Sequence, residues 1–184
     1  MKRTNFILWF VITSNFVFAQ PPKEISDSDL VMYKQEIQNE SVTLRLELLK
    51  KHYLNDFDKQ ISVDFQIDTF LIERLQSKRI SIDYSTYGMI KATSDSEIEY
   101  DKLLNKYYQL LIKKLNDSDK EILKQSQKKW ILFRDSEKNL NSAIAKNEYS
   151  GGGTMQGITV ANKTAEITQK RVIELFNYLN RFKE

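Results

Sequence analysis

Residues 158–182 read ITVANKTAEITQKRVIELFNYLNRF, and this stretch decides the fold. Ile158, Ala161, Ala165, Thr168, Val172, Leu175, Leu179 and Phe182 recur at alternating steps of three and four residues. That period holds one stripe on one side of an α-helix packed lengthwise against its neighbours. Working back toward the N-terminus, residues 118–147 carry Leu123, Trp130, Phe133, Leu140 and Ile144, and residues 96–115 carry Leu104, Tyr108, Leu111 and Leu115. Residues 29–54 carry Leu30, Ile37, Leu44 and Leu48, with Val42, Leu46, Leu49 and Tyr53 on a second face.

Helix starts are marked too. Ser118-Asp119-Lys120-Glu121 and Ser94-Asp95-Ser96-Glu97 are capping boxes, in which the serine hydroxyl accepts from a free amide and the glutamate reaches back to the cap amide. Only Asn116 and Asp117 separate Leu115 from Ser118, so the helices on either side are expected to fold back as a hairpin. Gly151, Gly152 and Gly153 then turn the chain into the last helix. The expected fold is all-α: an antiparallel three-helix unit in up-down-up order (about 95–116, 118–148 and 156–182), with an N-terminal helical extension over 29–83. Residues 56–86 allow two readings. Ile61, Val63, Phe65 and Ile67 alternate as in a strand, while Ile61, Phe65, Thr69, Ile72 and Leu75 fit a helix. Flanking turn residues for a hairpin are missing, which favours helix.

The first 19 residues read as a secretory leader: Lys2 and Arg3, an apolar run over 6–18, and Val17 and Ala19 before a cleavage point. The run is shorter than the roughly 20 residues that span a bilayer, so stable membrane insertion is not expected once the leader is gone. Residues 20–28 hold both prolines and read as a disordered lead-in. The net charge is +3, or +1 without Lys2 and Arg3. Near-neutrality speaks against nucleic-acid binding, which depends on neutralising phosphates. There is no cysteine, hence no disulfide, thiolate metal site or cysteine nucleophile. The expectation from the leader and composition is an exported protein of the periplasm or extracellular space, without a cofactor.

Gln127-Lys128-Lys129-Trp130-Ile131-Leu132-Phe133-Arg134-Asp135 concentrates the residues that invite a functional reading. Trp130 and Arg134 are one turn apart and share a face, whereas Arg134 and Asp135 project about 100° apart. Antiparallel folding would bring Asn105 and Tyr108 level with Gln127 and Trp130, giving a polar cluster that sets register or lines a groove. The sole histidine, His52, sits in a charged stretch with no catalytic companions, and Asp56, Asp58, Asp64 and Asp68 lack a calcium-loop pattern. Ser150-Gly151-Gly152-Gly153-Thr154 has a slim backbone that suits either a partner contact or a plain inter-helix turn.

These segments resemble the lysozyme inhibitor LprI-like family, small exported bacterial helical domains, over about residues 84–182. The resemblance rests on Ser85 to Met89; on Leu104-Asn105 with Tyr108; on Gln127, Trp130, Phe133, Arg134 and Asp135; on Gly152-Gly153-Thr154; and on Thr168 with Arg171. It implies a structural signature of Asn105, Tyr108, Gln127, Trp130, Arg134, Asp135 and Arg171. Members of the family carry cysteines near Ala92 and Lys138, and both positions differ here, so packing alone is expected to hold the hairpin. Lysozyme is the partner that the resemblance implies. Its cleft is lined by two carboxylates, into which a glycine loop with exposed amides and the Thr154 hydroxyl would fit.

Overall fold

The computed structural model describes residues 21–182. The leader expected over 1–19 lies outside the described residues. Among the described residues six helices follow in order: α1 (Asp27–Leu48), α2 (Asp56–Ile82), α3 (Thr86–Lys114), α4 (Asp117–Ile144), the short α5 (Asn147–Ser150) and α6 (Met155–Leu179). The all-α expectation holds, and the ambiguous stretch is the helix α2. Ser26, Asn55, Ser85 and Asn116 cap the four long helices α1 to α4, each accepting from the amide three residues on.

Two expected starts move. Asn116, not Ser118, caps α4, with its Oδ1 3.0 Å from the Asp119 amide. Ser94 does not begin a helix at all. It sits inside α3, which starts upstream at Ser85, whose Oγ accepts from the Gly88 amide at 3.0 Å. A capping box can act only where amides lack intrahelical acceptors, and those around Ser94 already have them. The corner between α2 and α3 is tight. Asp83 is buried, and its carboxylate accepts from the Ser85 amide at 3.1 Å. Gly88 packs so closely on it that a Cβ there would lie 2.2 Å from Asp83 Cγ and 2.4 Å from the Asp83 carbonyl oxygen.

The core forms around α3 and α6, which run parallel and make the closest helix pair. Gly157 meets Ile90, Thr168 meets Glu97, Gln169 meets Tyr100, and Phe176 meets Tyr107, so residue numbers rise together along both helices. The stripe that opened the reading forms the seam: Val172, Leu175 and Leu179 are fully buried in one cluster with Leu103, Leu104, Tyr107 and Leu111, and Thr168 is fully buried where it donates to Glu97. The other wall is α2, through Ile61, Phe65 and Ile72. Phe65 stacks on Phe176 with centroids 3.9 Å apart and meets the edge of Tyr107 at 5.3 Å. The outermost helix, α1, runs antiparallel on α2 over Leu48, Val63 and Ile67. Its ion pairs Glu40–Arg74 (2.8 Å) and Arg45–Asp64 (2.9 Å) are solvent-exposed and contribute at most about 1 kcal/mol each.

α4 departs from expectation. It folds back antiparallel to α3, but its backbone lies closer to α6 than to α3. Of its expected stripe, Leu123 is buried and Trp130 is half-buried, whereas Phe133, Leu140 and Ile144 are exposed. The reason is geometric. Leu123 and Trp130 project on average about 70° around the helix from Phe133, Leu140 and Ile144, and only one of these directions meets the core.

Candidate functional site

The inward face of α4 carries a polar seam centred on Arg171 of α6. Arg171 is 5% exposed, and a cation at that depth must be paired. Its Nε donates to Gln127 Oε1 at 3.1 Å, Nη1 to Glu174 at 2.9 Å and Nη2 to Ser126 Oγ at 3.2 Å. Trp130 shares this neighbourhood, with the Arg171 guanidinium 5.9 Å and the Arg134 guanidinium 5.2 Å from its ring. Each such contact is worth about 0.5–1 kcal/mol. Arg134 also reaches Asp101 of α3 at 3.1 Å and its neighbour Asp135 at 3.0 Å. One turn further, Glu97 of α3 accepts from Lys138 of α4 at 2.9 Å and from Thr168 of α6 at 2.9 Å. This carboxylate joins three helices beside the position where the resemblance implies a cystine in other members. A groove of about 450 Å³ lies between α4 and α6, walled by Trp130, Phe133 and Asn141 on one side and Lys163, Ile167 and Lys170 on the other.

The predicted signature is therefore split. Gln127, Trp130, Arg134 and Arg171 come together. Asn105 does not join them: it is exposed, and its amide donates to the Asp101 carbonyl of its own helix at 3.1 Å. Asn105 lies one helical turn from Asp101, and it is the Asp101 side chain that α4 engages. Tyr108 is half-buried at the core edge, while its neighbour Tyr107 is fully buried and donates to Asp68 at 3.1 Å. Burial and the Asp68 carboxylate push the Tyr107 phenol far above its ordinary range. Asp135 is exposed and touches only Arg134 among the partners seen for it.

The glycine loop lies at the other end of α4. Gly151, Gly152 and Gly153 all have positive φ (74°, 74° and 92°), a region that disfavours every residue with a Cβ. Gly151 closes α5 in the left-handed conformation, so the loop does serve as a helix stop. Ser150 Oγ donates to the Ala145 and Lys146 carbonyls, and the Gly152 amide donates to it in turn at 3.2 Å. The amides of Gly153 and Thr154 find no acceptor among the described residues. Thr154 is exposed, and its hydroxyl caps nothing. Tyr149 and Met155 flank the loop, both exposed.

A family model described as lysozyme inhibitor LprI matches residues 80–175, from the last turn of α2 into α6. The chain belongs to the lysozyme inhibitor LprI family. An uncharacterized protein of Rhizobium meliloti (strain 1021) is 33% identical over 88 residues, covering 41% of this chain and 60% of the relative. The chain thus spans about 60% of that relative's length. No solved structure matches. The LprI span contains both candidate regions, the Arg171–Trp130 seam and the glycine loop, whereas α1 and most of α2 precede it. Among the described residues, no helix is long and apolar enough to cross a membrane, and no group of three or more acidic, histidine or cysteine side chains is arranged to hold a metal.

Several partners carry no sequence signal of their own. Asp101, Ser126 and Glu174 look like ordinary surface residues of amphipathic helices, and Glu97 stood out only as part of the capping box that does not form. Arg171 was marked only by the resemblance, and its depth follows from α6 being covered by α4 on that side.

Proposed function

We propose that this LprI-family protein is exported and inhibits a lysozyme by placing its glycine loop, Ser150–Thr154, in the enzyme's cleft. The observation that carries this reading is the loop's geometry. Three successive left-handed glycines thin the backbone at an exposed corner, and the free amides of Gly153 and Thr154 open onto the N-terminal end of α6. A glycoside hydrolase cleft presents two carboxyl groups. Backbone donors at the positive end of a helix dipole suit such a pair, and the Thr154 hydroxyl adds a third donor. Exposed Tyr149 and Met155 supply apolar area on either side.

The test is the rate of lysozyme-driven clearing of a bacterial cell-wall suspension, with the purified protein in molar excess. The rate is expected to fall, and Thr154→Glu, which sets a like charge against the cleft, is expected to restore it without changing the melting temperature. An unchanged rate with the unaltered protein overturns the inhibitor reading. Inhibition that survives both Thr154→Glu and Gly153→Lys overturns the role of the loop.

A second reading, in which residues 27–80 dock another protein, rests on the outer face of α1, which exposes Val42, Leu46 and Leu49 at helical spacing. On this reading α1 docks an envelope protein. Removal of residues 27–48 would then abolish that association and leave lysozyme inhibition intact.

A further inference from the structure

α1 and most of α2 lie outside the LprI span, and together with α3 they form a cavity of about 400 Å³. That volume falls in the range of about 300–1,000 Å³ typical of small-molecule sites. Ile37, Leu71, Ile72, Leu75, Ala92 and Ile98 give it apolar walls. Polar groups gather toward one end. The ion pairs Glu36–Lys78 and Arg79–Asp95 set the register of the three helices, and this brings Lys34 and Ser96 close to level with Arg79. Leu71 and Ile72 lie two helical turns further along α2, about 11 Å away.

Ser96 points to a ligand. It lines the cavity, is only 6% exposed, and makes no hydrogen bond through its hydroxyl among the described residues. Leaving a buried hydroxyl unpaired is costly, and such groups are few. Thr93, one turn earlier on α3 and also buried, is bonded by Gln76 at 3.1 Å. The Arg79 side chain is 11% exposed, and Asp95 at 2.6 Å is the one partner of its guanidinium among the described residues. A single carboxylate engages at most two of the five guanidinium donors in a bidentate pair. Lys34 is exposed at the same end and makes no ion pair among the described residues. The acidic residues of the cavity are already matched, Asp95 by Arg79 and Lys91, and Glu99 by Lys102.

We infer that this cavity binds a free single-chain aliphatic carboxylate, a medium-chain fatty acid, with its head on Ser96, Arg79 and Lys34 and its tail along Leu75, Ile72 and Leu71. A carboxylate only accepts, so it uses the spare donors and asks for none in return. Lys34 balances its charge, and the apolar walls take the chain out of water. A neutral head gains nothing from Lys34. The site shares no residue with the glycine loop on which lysozyme inhibition is proposed to rest.

The test is isothermal titration calorimetry of the purified protein with sodium decanoate and, separately, with decanol. Decanoate is expected to bind one-to-one in the micromolar range, and decanol about tenfold more weakly or worse. Ser96→Ala is expected to weaken decanoate by about tenfold or more. The ligand-free Ser96→Ala protein should melt no lower than the unaltered one, because the hydroxyl has no partner to lose. Lys34→Glu, a change at an exposed position, is expected to weaken decanoate by about tenfold and to leave decanol unaffected. No saturable binding of decanoate up to millimolar concentration overturns the proposal, as does equal affinity for decanoate and decanol. Decanoate binding that survives both Ser96→Ala and Lys34→Glu also refutes it. Binding to phosphatidylglycerol vesicles without uptake of free decanoate would assign these groups to a membrane surface and refute the cavity site.

Discussion

Gly88→Ala tests the packing of the α2–α3 corner, because two effects of opposite sign meet there. Gly88 lies in the first turn of α3, and replacing a helical glycine by alanine ordinarily stabilises by up to about 1 kcal/mol. Here the new methyl would sit 2.2 Å from Asp83 Cγ and 2.4 Å from the Asp83 carbonyl oxygen. The carboxylate can rotate, but the carbonyl is backbone at the end of α2 and yields only if the corner moves. Overpacking of this kind costs about 1–3 kcal/mol. Rotating the carboxylate also takes an acceptor from the buried Ser85 amide, at roughly another 1–3 kcal/mol. The steric side wins, and the net expectation is a loss of about 2 kcal/mol. For a chain of this size that lowers the melting temperature by about 4–8 °C, read by circular dichroism at neutral pH. A variant that melts at the same temperature as the unaltered protein, or higher, would show that the corner is not packed as described and that helix propensity governs the position.

Two further outcomes follow. Trp130→Ala should destabilise by about 2–3 kcal/mol, below the full range for a buried tryptophan because the ring is half-exposed, and should leave lysozyme inhibition by the folded protein unchanged; a denaturant midpoint that does not move would refute its structural role. At Asp83, burial works to raise the carboxyl pKa, but hydrogen bonds from the Ser85 side chain and backbone and from the Lys23 backbone outweigh it, and the net shift is downward. A lowered folded-state pKa stabilises the fold above the ordinary carboxylate range, and that contribution is lost as pH falls through the folded value. Asp83→Asn should therefore cost most near neutrality and progressively less in acid, with the two melting curves converging; a gap that stays constant with pH would contradict the assignment.

What could be read from the residues, and what could not, divides along physical lines. The stripe from Ile158 to Phe182 was correct because α6 is surrounded, so nearly every apolar position on it meets something. The stripe on α4 misled because its five positions span two directions, and periodicity does not say which one a neighbour will cover. The capping box at Ser94 misled because a cap works only where the chain has not already been helical, a condition set upstream by Ser85 and Gly88. At the glycine loop the residues left turn and contact open, and the backbone establishes the turn through three positive φ angles while leaving the Gly153 and Thr154 amides free.

The amino-acid sequence by itself determined the all-α class, the helical character of the C-terminal half, the turns near Asn116 and at Gly151–Gly153, and that Trp130 and Arg134 share a face. These depend on residues within a few positions of one another. Only the tertiary structure decided that α6, rather than α4, is the closest neighbour of α3, that Arg171 is the buried cation, and that the apolar stripe of α4 faces water. Burial and charge pairing are set by residues distant in the chain, and one sequence read alone does not say which of them arrive.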